Sequence, residues 1–175
     1  MFKKASRKAV RLRLGLIGPA GSGKTYSALK VAHHLGGRIA LIDTEHAYDP
    51  EWAESIGINT ADLIYQSPET GEEAIDVSEV LIRNGVDLIV WDSVAATLPQ
   101  AEGNKRMSKE SVQPARLAAL MSLGMRKLTA ANDKTAILFI NQTRLNVGVV
   151  FGDPETVPGG RALPFYASYR VALRK

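Results

Sequence analysis

The chain has no cysteine in its 175 residues. That excludes a disulfide framework and a cysteine-ligated metal centre, and it fits a reducing compartment. No apolar run approaches the roughly 20 residues of a membrane-spanning helix, so no membrane partner is expected and a cytoplasmic location is. No internal repeat is present. Acidic residues are missing from positions 1–13, which hold Lys3, Lys4, Arg7, Lys8, Arg11 and Arg13. A secretory signal would follow such charges with an apolar stretch, and here the first core-strand pattern comes instead. A transit peptide fits the composition but would leave no residues spare ahead of the fold. Residues 1–10 read either as a basic arm able to touch a phosphate backbone or as a solvated start. The remaining balance, 45% hydrophobic and 23% charged with a net charge of +4, is that of one ordinary globular domain and favours a polyanionic partner only weakly.

What is present is a phosphate-binding loop. Gly18, Pro19, Ala20, Gly21, Ser22, Gly23, Lys24 and Thr25 fit G-x-x-x-x-G-K-[ST]. An apolar run precedes them at 12–17 and a helical pattern follows at 26–35, which is the strand–loop–helix context the motif needs. The glycines let backbone N–H groups turn inward to phosphate oxygens, and the new helix adds its positive N-terminal end. Lys24 can reach the β- and γ-phosphates, and Thr25 can hold Mg²⁺ through its hydroxyl. These eight residues and Tyr26 are the candidate nucleotide contacts, with a nucleoside triphosphate and Mg²⁺ the expected ligands.

Apolar β-type runs recur at 12–17, 39–42, 63–65, 88–91, 136–140 and 166–173, with helical patterns between several of them. The alternation predicts an α/β fold, a mostly parallel central sheet with helices on both faces. His33 and His34 fall in the last turn of the first helix and read as structural, with glycine following as a C-cap. Thr70-Gly71-Glu72-Glu73 fits a capping box that opens a helix to about residue 83. Pro114 suits the first turn of a helix running to about residue 130. Two long stretches, 101–112 and 141–163, show no period; loops of that length are usually functional or disordered.

The strand 88–91 ends in Asp92, placed to hold Mg²⁺, with turn formation as the plainer reading. Ser93 follows, which disfavours NTPases that set the catalytic base directly after this aspartate. The strand 39–42 ends in Asp43-Thr44-Glu45. Ligands of a parallel sheet sit beyond its carboxyl ends, so Glu45 is a candidate to polarise the attacking water, and Asp43 is its rival.

Four segments taken in order resemble the bacterial RecA recombinases: Leu41-Ile42-Asp43-Thr44-Glu45-His46-Ala47-Tyr48-Asp49-Pro50, Asp87-Leu88-Ile89-Val90-Trp91-Asp92-Ser93-Val94-Ala95-Ala96, Phe139-Ile140-Asn141-Gln142-Thr143-Arg144, and Phe151-Gly152-Asp153-Pro154-Glu155-Thr156 with Gly159-Gly160 and Phe165-Tyr166-Ala167-Ser168. The resemblance runs from about residue 38 to 175, while the segment 17–29 resembles phage-type P-loop ATPases. It implies a P-loop NTPase of RecA type, one ATPase core over 1–175, and a role in homologous recombination and DNA repair. It implies that Glu45 is the catalytic glutamate and that Gln142 senses the γ-phosphate, its amide able to donate and accept. It puts Trp52 over adenine, where core packing of a short helix is the alternative, and gives Asp49 the adenine amino group.

The resemblance also implies that 101–112 and 141–163 are loops for single-stranded DNA. The second carries Arg144, Val147, Gly148, Gly159, Gly160 and Arg161. Its glycines permit close approach to phosphates, its arginines supply charge, and its apolar residues suit either a wedge between bases or a subunit interface. Burial within the domain is the competing account. The first loop is weakly basic (Lys105, Arg106, Lys109), which fits phosphate contact or plain solvation. Arg126 matches a DNA-facing position; Ala119 stands where the family commonly has another arginine, with Arg116 one turn earlier.

Self-association into a filament or ring follows from the same likeness. Against it, an N-terminal docking segment and basic residues that reach the neighbour's γ-phosphate have no counterpart in this sequence, and Pro164 aligns with an interface lysine. A trans cation is worth orders of magnitude in phosphoryl transfer, so ATP binding is expected to be better preserved than DNA-stimulated hydrolysis. Two readings follow: a working DNA-dependent ATPase, or a core that binds ATP without filaments or efficient turnover. A small-molecule kinase would need an arginine-rich lid, and the glycine-rich second loop and Gln142 argue against it.

Overall fold

The computed structural model describes residues 12–103, 114–132, 134–145 and 155–175. Its main sheet has six strands: β1 (Arg13–Gly18), β2 (Ile39–Asp43), β3 (Leu63–Gln66), β4 (Leu88–Asp92), β5 (Ala136–Gln142) and β8 (Tyr169–Ala172). They lie side by side as β3-β2-β4-β5-β1-β8, and every pairing among them is parallel. The helices are α1 (Lys24–Leu35), α2 (Pro50–Ser55), α3 (Gly71–Arg83), α4 (Gln100–Gly103), α5 (Pro114–Ala131) and α6 (Ala162–Tyr166). Two further short strands, β6 (Arg144–Leu145) and β7 (Glu155–Thr156), pair antiparallel as a separate ribbon.

Every residue of β4 is buried, because a parallel strand in mid-sheet has a covered face on each side. Alternate side chains then serve two cores. Ile89, Trp91, Ile137 and Phe139 pack on Ile75 and Ile82 of α3 and on Met121, Met125 and Leu128 of α5. Leu88, Val90, Leu138 and Ile140 pack on Ala28, Leu29 and Ala32 of α1 and on Ala53 of α2. The Trp91 and Phe139 rings lie 5.8 Å apart and tilted, an arrangement aromatic quadrupoles favour. The Trp91 indole N–H donates to Thr97 Oγ1 at 3.1 Å, so a fully buried ring leaves no unpaired polar atom.

Local signals account for the helix starts. Thr70 Oγ1 accepts from Glu73 N at 3.2 Å, and the Glu73 carboxylate reaches back to Glu69 N at 2.9 Å. The box therefore closes one residue earlier than its usual reciprocal form. His33 and His34 do lie in the last turn of α1, and Gly36 follows at φ 66°. Two expectations need correcting. The run 166–173 is not one strand: Phe165 N donates to Arg161 O and Ala167 N to Leu163 O, so Tyr166 closes α6 and β8 starts at Tyr169. Short apolar runs do not distinguish helix from strand by period. Nor is 141–163 wholly irregular, since β5 continues through Gln142, and β6, β7 and α6 occupy parts of it.

Candidate nucleotide site

Sheet register does most of the assembly. Gly18 pairs with Gln142 across β1 and β5, and Asp43 pairs with Asp92 across β2 and β4. Four strands thus deliver the phosphate loop, two acids and one amide to the same carboxyl edge, where ligands of such sheets sit. The loop leaves β1 with Gly21 at φ 69° and Gly23 at φ 80°, a left-handed backbone that other residues adopt at a cost. Gly23 is the residue from which α1 starts, with no side-chain cap, so the first-turn N–H groups of α1 are open to an anion.

Lys24 is buried, and its ammonium donates to Pro19 O at 2.7 Å. Burial lowers its pKa, and the charges of Glu45 and Asp92 oppose the shift. Thr25 Oγ1 donates to Asp92 Oδ2 at 2.6 Å. Burial pushes the Asp92 carboxyl up to about 6; Glu45 and Asp43 push the same way, and the Thr25 hydrogen bond and Lys24 push back. A hydroxyl and a carboxylate in contact are the hard oxygen donors that Mg²⁺ takes, and a cation here would relieve the repulsion among three acids. No cluster of three or more His, Asp or Glu suited to a metal occurs among the described residues. That fits Mg²⁺, which leans on one or two protein oxygens and on substrate phosphates.

The two acids at the end of β2 differ in what they face. Asp43 is buried, and its carboxylate accepts from Glu45 N, Ala47 N, Tyr48 N and the Tyr65 hydroxyl at 2.9–3.1 Å. It is the organising centre of the turn 44–48. Glu45 instead accepts on Oε1 from Gln142 Nε2 at 3.0 Å and from Ser93 Oγ. Its Oε2 makes no hydrogen bond among the described residues. A cleft of about 250 Å³ is walled by Gly21, Lys24, Thr25, Tyr26, Glu45, Trp52, Asp92 and Gln142. An adjoining pocket shares Thr25, Glu45, Trp52 and Asp92 with it and adds Leu41, Tyr48 and Asp49. Trp52 is 37% exposed and belongs to neither core. Asp49 caps α2, its Oδ1 accepting from Glu51 N and Trp52 N.

The candidate DNA residues are more scattered. Arg126, Arg144 and Arg161 are exposed. Among the described residues Arg126 makes only a 3.4 Å bond to Ser122 O on its own helix, whereas the neighbouring Lys127 is paired with Asp76 and Glu79. Gly159 is buried at φ 87°, and a Cβ there would meet Val94 Cγ1 at 2.9 Å, so packing on the domain accounts for it. A Cβ on Gly160 would meet Ala118 of α5 at 2.7 Å. Val147 and Gly148, the arm 1–10 and positions 104–112 of the first loop lie outside the described residues. Two participants went unread in the sequence. Ser93 counted only as a missing glutamate. Asn141, fully buried, donates to Pro158 O at 2.9 Å and pins the turn 157–160 beside Gln142.

The sheet order and the loop between β1 and α1 are those of the P-loop NTPase fold. Residues 11–175 match the model of the RecA N-terminal domain, a match that takes in the phosphate loop as well as the later segments. Protein RecA of Clostridium perfringens (strain 13 / Type A) is 48% identical over 166 residues, covering 91% of this chain and 47% of that protein. Protein RecA of Saccharopolyspora erythraea is 50% identical over 164 residues, covering 90% and 47%. The crystal structure of the RadB recombinase superposes with a TM-score of 0.66 at 25% identity, covering 94% of this chain and 74% of that one. The chain belongs to the RecA N-terminal domain family, and it spans about half the length of the RecA proteins it matches. No helix among the described residues is long and apolar enough to cross a membrane.

Proposed function

We propose that this chain is the ATPase core, over 1–175, of a RecA-type recombinase acting in homologous recombination and repair in the cytoplasm of a bacterial or phage-infected cell. It binds ATP with Mg²⁺, hydrolyses it, and lets the nucleotide state set its affinity for single-stranded DNA. The observation that carries the reading is the convergence of Lys24, Thr25, Glu45, Asp92 and Gln142 on one cleft.

Residues 18–26 form the phosphate cradle, all but Pro19 having a backbone N–H to offer, and Lys24 neutralises the β- and γ-phosphates. Thr25 and Asp92 hold Mg²⁺, which when bound spreads the charge of the transferring phosphoryl group. Glu45 orients the attacking water and takes its proton on Oε2, the oxygen that no donor among the described residues occupies. Trp52 covers the base, and the Asp49 oxygen not used in the cap accepts from its amino group. Gln142 exchanges its bond to Glu45 for the γ-phosphate. Asn141 ties the same strand end to the turn 157–160, and this supports a route from nucleotide to loop 141–163. Arg126, Arg144, Gly160 and Arg161 are assigned to the DNA path, and the family likeness adds Val147 and Gly148 to it; Gly159 is packed on Val94 and Met121 and drops out. The exposed Phe165 and the edge strand β8 support self-association into a filament or ring.

The test is binding of a labelled oligonucleotide across a salt series, with and without a non-hydrolysable ATP analogue. Tighter binding with the analogue is expected, and no binding in either state at low salt sinks the reading. Pro164, where the family has an interface lysine, favours a second reading: a core that binds ATP without turning it over efficiently. Steady-state ATPase with and without DNA separates the two.

A further inference from the structure

Ser93 lies at the carboxyl edge one residue beyond β4, with no exposed surface. Its hydroxyl donates to Glu45 Oε1, the oxygen that Gln142 also addresses. The rest of Ser93 is clamped from beneath. Its carbonyl accepts from Thr44 Oγ1 at 2.8 Å and from Thr97 Oγ1 at 3.0 Å. Thr97 is in turn held by the Trp91 indole N–H at 3.1 Å. Thr44, Ser93 and Thr97 are all buried, so a chain of satisfied polar contacts runs from the core tryptophan to the carboxylate that faces the cleft. Such networks fix side chains more firmly than solvent-exposed bonds do.

We propose that Ser93 is a positioning residue for hydrolysis: its hydroxyl holds the Glu45 carboxylate by Oε1 so that Oε2 is turned to the attacking water. The role differs from that of Gln142. The amide must leave Glu45 to engage the γ-phosphate, and Ser93 is then the donor that still holds the carboxylate. The inference rests on Glu45 as the water-orienting base. Ser93 touches neither phosphate nor metal in this account, so its loss should lower turnover and leave nucleotide binding alone.

The experiment is steady-state ATPase of the full chain with Mg²⁺ and single-stranded DNA, for the parent, Ser93→Ala, Ser93→Cys, Glu45→Gln and the Ser93→Ala/Glu45→Gln double variant. A hydrogen bond to a charged group is worth about tenfold to a hundredfold in rate when its loss is confined to the transition state. Ser93→Ala should lose that much kcat with KM and ATP-analogue affinity within about twofold. Ser93→Cys restores the side-chain volume with a poor donor and should track the alanine variant. The double variant should turn over as slowly as Glu45→Gln alone, because one residue acts through the other. Parent-like kcat in Ser93→Ala or in Ser93→Cys, or a full extra loss in the double variant, would overturn the proposal while leaving Glu45 as the base. Parent-like turnover in Glu45→Gln, or no turnover in the parent, would remove the hydrolytic reading itself and this inference with it.

Discussion

Gln142 Nε2 donates to Glu45 Oε1 over 3.0 Å, joining two residues 97 positions apart in the chain. The contact is a consequence of strand order. β5 lies between β1 and β4, so the residue ending β5 emerges between the phosphate loop and the acids of the neighbouring strands.

If the Gln142 amide is what reports the γ-phosphate to the DNA side, Gln142→Ala will bind the ATP analogue within about threefold of the parent, since the amide trades one charge-assisted hydrogen bond, to Glu45, for another of similar strength, to the γ-phosphate. Its affinity for a labelled oligonucleotide should no longer respond to nucleotide. Fluorescence anisotropy with and without the analogue measures this, and a preserved response would assign the coupling elsewhere.

Asp43 and Glu45 should separate cleanly by stability. Asp43→Asn turns an acceptor of four donors into a group that carries donors itself. A cost of about 3 kcal/mol is expected from unpaired buried N–H groups. Glu45→Gln keeps an acceptor for Ser93 and should cost about 1 kcal/mol or less. Urea unfolding of the two variants checks the order; equal losses would mean that Glu45 is structural too.

The raised Asp92 pKa gives a pH signature with a definite sign. Its ordinary value is 3.8 and its folded value about 6, so the folded state prefers the protonated form. That contribution is complete below about 3.8 and is lost as pH rises through about 6. Ionised Asp92 therefore weighs against the nucleotide-free fold at neutral pH, by up to about 3 kcal/mol. Asp92→Asn should raise the melting temperature of the nucleotide-free protein at pH 7.5 by a few degrees, and make little difference at pH 4. In Mg²⁺ and ATP the parent should regain the advantage, because only it gains from the metal. Melting curves at the two pH values, with and without ligand, decide the matter.

Arg126 and Arg161 are exposed, and each is expected to contribute one phosphate contact. Either alanine substitution should lower the slope of log affinity against log salt by about 0.7 for a single strand, with no change in ATP-analogue affinity. Lys127→Ala serves as the control, because its charge is already committed to Asp76 and Glu79. A slope change for Lys127→Ala equal to that for Arg126→Ala would mean that the helix contributes only general charge.

Much of this protein is local in origin and was therefore readable along the chain. The phosphate loop is contiguous, its glycines and lysine fixed by the needs of one anion. Strand positions follow from apolar runs, and β4 with Asp92 at its end is one such run. Thr70 and Pro114 announce their helices through backbone groups within four residues. The four motif segments, read in order, carry the family. Tertiary structure decided what depends on neighbours distant in sequence. Asp43 and Glu45 are the same chemistry two residues apart, and only the donors supplied by Tyr65 and the turn 44–48 to one, and by Ser93 and Gln142 to the other, tell them apart. Gly159 looked free to approach a ligand until Val94 and Met121 were found against it. Sequence thus determined which groups are present and at which strand ends they lie. Strand order and register, which no single strand encodes, decided which of them meet.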